Sequence, residues 1–352
     1  MNTHGSLRFR SRWWVVVAAL VASGLALRSV AAGNATGSAV RNATVSGADD
    51  RAPRVAPGGT ATVADTTGYI AVPGGRVWYR RMGGGPGLPI LAVHGGPGGT
   101  GCGFAALAPL ATDRPVIYYD QLGSGRSDHP ADTTLWTVAR FVSELEAVRR
   151  GLGLDSLVLL GHSWGGALVA EYLLTAPRPA VRGVILSSPL LSTPRWIADA
   201  NALRAAMPAP LRNALDRHEA DGTTDHPDYK AATDSFYARH VSRIKVPRDP
   251  GCAGVTSNDT IYRQMWGPTE FRSTGSLKEW DRSGDLSRIG IPALLVSGEY
   301  DEARPATLAA FAVTMPRARV VTIPGAAHGT YREQPAAYQA AVRGFLREVD
   351  RR

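Results

Sequence analysis

Short apolar runs rich in Val, Ile and Leu alternate with longer segments of helical periodicity from about Tyr69 onward. Short apolar runs bounded by turn residues indicate strands that are buried on both faces of a sheet. Their alternation with helices predicts a mostly parallel sheet flanked by helices. The predicted strands are Gly75–Arg80, Ile90–Val93, Pro115–Tyr119, Ser156–Leu160, Val181–Ser187, Ala293–Ser297 and Arg319–Ile323.

Helices are predicted between these strands and at the end of the chain. Leu135–Gly151 and Gly166–Ala176 have helical periodicity. The last segment places apolar residues at i, i+3, i+4, i+7, i+8 and i+11, which form one stripe of an amphipathic helix. These residues are Tyr338, Ala341, Val342, Phe345, Leu346 and Val349.

The alternation stops between about Leu190 and Asp285, where the chain is polar and helical in pattern. Because structureless loops of about 95 residues are rare, this stretch is predicted to be an inserted helical cap, residues 190–285. Residues 65–189 and 286–352 would then form the two parts of the α/β core. The cap helices are predicted at Thr193–Met207, Pro210–Glu219, Pro227–Ile244 and Thr260–Met265.

The N-terminal segment, residues 1–32, has the order of a secretory signal peptide: an Arg-containing start, an apolar run and then small residues. The apolar run from Trp13 to Leu27 has about 15 residues, whereas a membrane span needs about 20. Cleavage is therefore favoured over an uncleaved anchor, and a secreted or extracytoplasmic protein without a stable membrane span is expected. Residues 33–64 are rich in Gly, Ala, Ser, Thr and Pro and are predicted to be a disordered linker.

Composition narrows the class of protein further. A chain of 352 residues with 44% hydrophobic residues is neither a disordered tail nor a small disulfide scaffold. The net charge is +9, but the arginines are scattered without a basic stripe or binding motif, so no nucleic-acid partner is expected. Cys102 and Cys252 would form a disulfide in an oxidising compartment or remain two unrelated buried thiols.

The strongest chemical signal is Gly161-His-Ser163-Trp-Gly165, which lies between a predicted strand and a predicted helix. A Gly-x-Ser-x-Gly sequence in this context is a nucleophile elbow, a strained turn that lifts the serine hydroxyl out of the sheet. Ser163 is therefore the predicted nucleophile.

A serine hydroxyl needs a base to take its proton and an acid to orient that base. In chain order the acid comes before the histidine, and both follow strands. Asp301 and His328 satisfy this order, although Glu299 and Glu302 compete with Asp301 for the role of the acid.

Hydrolysis also needs hydrogen-bond donors for the oxyanion. The backbone N–H of Trp164, which follows the nucleophile, is one predicted donor. The other is the backbone N–H of Gly96 in the Gly-rich loop after the predicted strand Ile90–Val93. No phosphate-binding Gly pattern follows a strand here, and no cofactor or metal is expected.

These motifs together resemble the proline iminopeptidase family of α/β-hydrolase serine peptidases, which includes the tricorn-interacting aminopeptidase. The resemblance spans about Tyr69 to the C-terminus. It implies an α/β-hydrolase fold with a helical cap, no metal, and removal of an N-terminal residue, often proline, from peptides. It rests on His94-Gly-Gly-Pro-Gly98, Asp120-Gln-Leu-Gly-Ser-Gly-Arg-Ser127, the elbow, Gly298-Glu-Tyr-Asp301 and His328.

The resemblance also implies acidic cap residues that bind the free α-ammonium of the substrate. The segment Gly267-Pro-Thr-Glu270-Phe271 is similar to the family's Gly-Pro-Asn-Glu-Phe, so Glu270 inherits this role. Glu219, Asp228 and Asp234 remain alternatives for the second acid. Nearby aromatic residues would line an apolar substrate pocket or pack the cap helices together: Tyr262, Trp266 and Phe271.

The resulting hypothesis is a serine aminopeptidase acting on peptides or amino-acid amides with a free N-terminus. The alternative is an amino-acid amidase or a general esterase or lactonase that uses the same triad. A requirement for a free α-amine distinguishes the two.

Overall fold

The computed structural model describes residues 65–176, 181–247 and 249–351. The predicted signal peptide and linker, residues 1–32 and 33–64, lie outside these residues. In the described part of the chain, no helix is both long and apolar enough to cross a membrane.

Eight strands form one sheet in the order β1-β2-β4-β3-β5-β6-β7-β8. The strands from β4 through β3 to β8 pair in parallel, whereas β1, β2 and β4 pair antiparallel at one edge. This arrangement confirms the predicted mostly parallel sheet. The strands are β1 Thr66–Val72, β2 Gly75–Met82, β3 Ile90–Val93, β4 Val116–Tyr119, β5 Leu157–His162, β6 Val181–Ser187, β7 Ala293–Gly298 and β8 Ala318–Ile323.

The first strand was not predicted from the sequence. Thr66–Val72 alternates exposed and half-buried residues and has no fully buried one, because it pairs only with β2 at the sheet edge. An edge strand of this kind lacks the apolar run by which the central strands were recognised.

Helices cover both faces of the sheet and fill the segment between β6 and β7. The α-helices are α1 Val138–Gly151, α2 Trp164–Thr175, α3 Thr193–Ala205, α4 Ala209–Ala220, α5 Pro227–His240, α6 Asp259–Met265, α7 Pro305–Thr314, α8 Thr330–Glu333 and α9 Pro335–Asp350. The 3-10 helices lie at Gly101–Thr112, Thr133–Leu135, Pro250–Cys252 and Ser283–Arg288.

Alternate side chains of the central strands point to two separate hydrophobic cores. One core packs Leu91 and Leu159 against α1 and α2, and the other packs Leu160 and Val296 against α9. A third, smaller core around Leu215 and Phe236 holds α3, α4 and α5 together. The inserted segment therefore has packing of its own, as expected for a cap.

The cap is attached to the core by a disulfide and by backbone hydrogen bonds. Cys102, in the 3-10 helix after β3, is bonded to Cys252, 150 residues later. Close to this bond, the N–H of Asn258 donates to the carbonyl of Gly98 at 2.8 Å. The disulfide alternative for the two cysteines is therefore the one that the structure contains.

Candidate active site

Ser163 lies at the sharp turn between β5 and α2, at the carboxyl edge of the sheet. Its φ of 55° and ψ of −122° are rarely adopted by a residue other than glycine. The turn is held because the Ser163 N–H donates to the Ser187 carbonyl of β6 at 3.1 Å. A Cβ atom on Gly165 would lie 2.1 Å from the carbonyl oxygen of Val93, so this position requires glycine. The elbow predicted from the sequence has the strained geometry that exposes a serine hydroxyl.

Asp301, just after β7, accepts hydrogen bonds on both carboxylate oxygens. His328 Nδ1 donates to Oδ1 at 2.9 Å, since a carboxylate only accepts. The Ala303 N–H donates to the same oxygen at 2.9 Å, while Ser188 Oγ and the Gly298 N–H donate to Oδ2 at 2.6 and 3.2 Å. Asp301 is 1% exposed, so this buried carboxylate is fully compensated and fixed in one orientation.

The imidazole of His328 lies between the nucleophile turn and the cap. Its ring centroid is 4.7 Å from that of His162, which precedes the nucleophile, and 5.6 Å from that of Trp196 in α3. Burial lowers the pKa of His328, but the Asp301 and Glu270 carboxylates outweigh burial, and the pKa is raised above its usual value. The ring is therefore poised to hold a proton beside the elbow.

The Gly-rich loop after β3 runs directly against the nucleophile. A Cβ atom on Gly95 would lie 2.9 Å from Cβ of Ser163, so no larger residue fits there. Gly96 follows with a φ of 122°, and Trp164 begins α2 on the other side of the serine. The structure thus brings the loop of one predicted oxyanion donor and the residue of the other to the same turn.

Gln121 links this loop to the nucleophile turn. Its N–H donates to His94 Nε2 and its side-chain amide to the His94 carbonyl, both at 2.9 Å. Its Oε1 accepts from Trp164 Nε1 at 3.0 Å. Burial lowers the pKa of His94, which keeps the ring neutral and able to accept. Gln121 therefore links His94, at the start of the Gly-rich loop, to the side chain of Trp164.

Glu302, which is buried, and Glu270, which is half-buried, form a pair of carboxyls beside His328. Glu302 is 1% exposed, and neither of its carboxylate oxygens has a hydrogen-bond partner within the described chain. Its Oε1 lies 3.9 Å from His328 Nδ1. Burial raises the pKa of Glu302 far above the usual value, and the nearby Glu270 and Asp301 carboxylates raise it further.

The pKa of Glu270 is also raised, mainly by burial, although the charge of His328 opposes this shift. Burial and the Glu270 carboxylate both raise the pKa of Glu302, so ionisation of both acids together is disfavoured without a cation between them. A ligand ammonium would supply that positive charge together with N–H donors. Among the described residues, the cationic side chain next to this pair is His328, and it carries its charge only when protonated.

The three sequence alternatives for the second acid have other surroundings in the structure. Glu219 Oε2 forms an ion pair with Arg204 at 3.1 Å, and Glu219 Oε1 accepts a hydrogen bond from the Tyr229 hydroxyl. Asp228 is 60% exposed and pairs with Arg217, and Asp234 is exposed. In the sequence Glu302 is only a rival of Asp301, and in the structure both acids lie near Nδ1 of His328, Asp301 Oδ1 at 2.9 Å and Glu302 Oε1 at 3.9 Å.

The aromatic residues of the cap divide into two groups. Phe271 packs against Phe236, with ring centroids 5.0 Å apart, in the small cap core. Trp266 instead contacts Trp196, whose Nε1 donates to the carbonyl of Glu270 at 3.1 Å. Trp196 was not singled out from the sequence, since only its position opposite His328 distinguishes it from other cap aromatics.

A separate group of potential metal ligands lies between α4 and α5, formed by His218, His226 and Asp228. Arg217 already donates to His218 Nε2 at 3.0 Å and to Asp228 at 3.4 Å. A guanidinium therefore holds the place that a metal ion would take.

Comparisons with known proteins agree with this geometry. The family model described as alpha/beta hydrolase fold matches residues 89–335. The chain is 41% identical over 288 residues to a proline iminopeptidase of Heyndrickxia coagulans, covering 81% of this chain and 99% of the relative. It is 33% identical over 264 residues to one of Saccharolobus solfataricus, covering 74% and 85%.

A solved structure is similar as well. The crystal structure of a proline iminopeptidase of Mycobacterium smegmatis matches with a TM-score of 0.74 and 37% identity. The match covers 81% of this chain and 99% of that one, so the likeness includes the core and the inserted segment alike.

Proposed function

The chain belongs to the proline iminopeptidase family of α/β-hydrolase serine peptidases, and on this premise we propose that it is an aminopeptidase that releases an N-terminal residue, often proline, from peptides. The observation that carries the proposal is the pair of carboxyls, Glu270 and Glu302, beside the Asp301–His328 hydrogen bond. A peptide enters by its N-terminus because that end carries the cation these acids need. A prolyl nitrogen has two N–H hydrogens when charged, one for each carboxylate.

In the proposed reaction Ser163 Oγ attacks the first peptide carbonyl while His328 Nε2 takes the hydroxyl proton. Asp301 holds the imidazole through Nδ1 and stabilises the imidazolium. The N–H groups of Gly96 and Trp164 donate to the oxyanion. His328 then passes its proton to the leaving amine, and water releases the acyl group from the serine by the same steps.

The substrate side chain is proposed to rest against Trp196 and Trp266. Both indole N–H groups are already satisfied by backbone carbonyls, those of Glu270 and Thr269. Their rings are therefore free to offer apolar surface next to the carboxyl pair. A prolyl ring or another small apolar side chain suits such a surface.

The decisive experiment is steady-state hydrolysis of aminoacyl anilides, prolyl and alanyl included, with their N-acetylated forms and a simple acyl ester as controls. We expect turnover of the free-amine anilides, loss of turnover on acetylation, and a loss of at least about 10⁴-fold in Ser163→Ala. If only the ester reacts, or if acetylation changes nothing, the triad stands but the aminopeptidase proposal is wrong.

We also propose that the protein is exported, with residues 1–32 as the signal. The disulfide between Cys102 and Cys252 supports this, since such bonds persist in oxidising compartments. Mass spectrometry of the protein from the host's extracytoplasmic fraction tests it. A mature N-terminus near residue 32 is expected, and an intact Met1 in the cytoplasm contradicts export.

A further inference from the structure

Two adjoining cavities lie near His328, and neither is lined by Glu270 or Glu302. The smaller, of about 160 Å³, is lined by His162 and His328 together with Tyr331 and Arg332. The larger, of about 590 Å³, shares Tyr331 and Arg332 with it and extends to the Cys102–Cys252 disulfide. Because the two share these walls, they form one cleft from the catalytic imidazole to the edge of the cap.

The chemistry of the reaction assigns an occupant to this cleft. His328 must protonate the leaving amine, so the leaving peptide lies on the imidazole's side of the scissile bond. Glu270, Glu302 and Trp196, which would hold the N-terminal residue, do not line either cavity. The cleft is therefore on the path of the rest of the peptide.

Arg332 lines both cavities and places a positive charge at the cleft. Its side chain is exposed and makes no ion pair or hydrogen bond with any other side chain in the described ranges. Two carboxylates line the same cavities. Asp249 Oδ1 accepts from the Gly251 N–H at 2.7 Å, and the two oxygens of Glu333 accept from the Arg243 and Ala327 N–H groups, each at 2.7 Å. A free guanidinium next to a cleft is suited to a carboxylate, which it binds through paired N–H donors.

We propose that this cleft binds the leaving part of the substrate and that Arg332 binds its C-terminal carboxylate. The preferred substrates are then short peptides with a free carboxyl terminus, rather than long chains or amidated peptides. This inference rests on the proposed aminopeptidase function and adds the substrate class to it.

The test compares a series of prolyl di-, tri- and tetrapeptides as free acids and as C-terminal amides, with prolyl anilide as a substrate that has no carboxylate. Arg332→Ala and Arg332→Gln should raise KM for the best free-acid peptide on the order of fivefold, as expected for a partly exposed ion pair. KM for the amides and for the anilide should not change. Arg182→Ala is the matched control, since Arg182 is an exposed arginine near the amino end of β6.

Two different failures are distinguishable. If wild-type protein hydrolyses the anilide but Arg332→Ala affects acid and amide peptides equally, the carboxylate assignment is wrong and the aminopeptidase function stands. If wild-type protein hydrolyses neither anilide nor peptides, the proposed function fails and this inference with it. An unchanged melting temperature of the variants excludes a folding defect as the cause of a raised KM.

Discussion

Asp301 and Glu302 are neighbours in the chain and equally buried, yet their surroundings are opposite. Asp301 accepts from four donors on its two oxygens, one of them His328. Glu302 has no hydrogen-bond donor on either oxygen in the described chain, and its closest charged partner is His328 at 3.9 Å. The turn after β7 thus places the Asp301 carboxylate among hydrogen-bond donors and leaves the Glu302 carboxylate without one in the described chain.

This difference in surroundings indicates a separate role for each carboxylate. A buried charge with all its hydrogen bonds made is stable without substrate and can fix the orientation of an imidazole. A buried carboxyl without partners is costly until a cation arrives, which is typical of a binding group. We therefore expect Asp301 to act on every substrate alike and Glu302 to act only on substrates with a free amine.

The largest effect is expected from Asp301→Asn. An amide in place of the carboxylate favours the wrong His328 tautomer and loses the charge that stabilises the imidazolium. We expect kcat to fall about 10⁴-fold for anilides and esters alike, with little change in KM. Steady-state kinetics on both substrates checks this. A loss confined to free-amine substrates would reverse the roles assigned to the two acids.

Glu302→Gln should have the next largest effect, and a selective one. Loss of one carboxylate from the ammonium site should lower kcat/KM for free-amine anilides by about 10²-fold, the worth of a buried charge-assisted hydrogen bond. Hydrolysis of a simple acyl ester should change much less. Glu299→Gln, on the same turn but exposed, is the matched control. Equal losses for ester and anilide would show that Glu302 acts through His328 instead.

The sequence predicted the hydrogen-bonded Asp301 and the other catalytic candidates far better than it predicted Glu302 and Trp196. Ser163 and Asp301 follow the fully buried strands β5 and β7, whereas His328 follows the edge strand β8, which is only partly buried. All three apolar runs are visible in the sequence, so chain order alone brings these residues together. Glu302 and Trp196 have no such signal, because their roles depend on how the cap packs over the core. The sequence alternatives for the partner of Glu270 are therefore all cap residues, whereas the partner we propose, Glu302, lies on the core.

Ser188 tests the same comparison through Asp301, because its hydroxyl is one of the hydrogen-bond donors to that carboxylate. It has a φ of 47°, rare for a residue with a side chain, and its hydroxyl donates to Asp301 Oδ2 at 2.6 Å. We expect Ser188→Ala to lower kcat about tenfold for all substrates, since one donor of several is lost.

Ser188→Gly provides the control for backbone strain. Glycine accepts a positive φ without cost but, like alanine, lacks the hydroxyl. The two variants should therefore lose the same amount of kcat but differ in stability. If the glycine variant keeps full activity, the hydroxyl does not position Asp301.

The smallest effect we expect is on the stability of the free enzyme. Glu302→Gln should raise this stability, although it lowers the activity. The pKa of Glu302 in the folded protein is raised, chiefly by burial, above its ordinary value of 4.5. Below pH 4.5 the group is protonated in both states and costs nothing. As the pH rises above 4.5, only the unfolded chain ionises, and the wild type loses stability until the folded pKa is reached. Glu302→Gln removes this dependence, so the variant should become more stable than the wild type as the pH rises from 4.5 to 8, with little difference at pH 4.5. Thermal unfolding of both proteins between these pH values measures the difference. A difference that stays constant with pH would mean that Glu302 is already ionised and paired in the free enzyme, and the contrast with Asp301 would disappear.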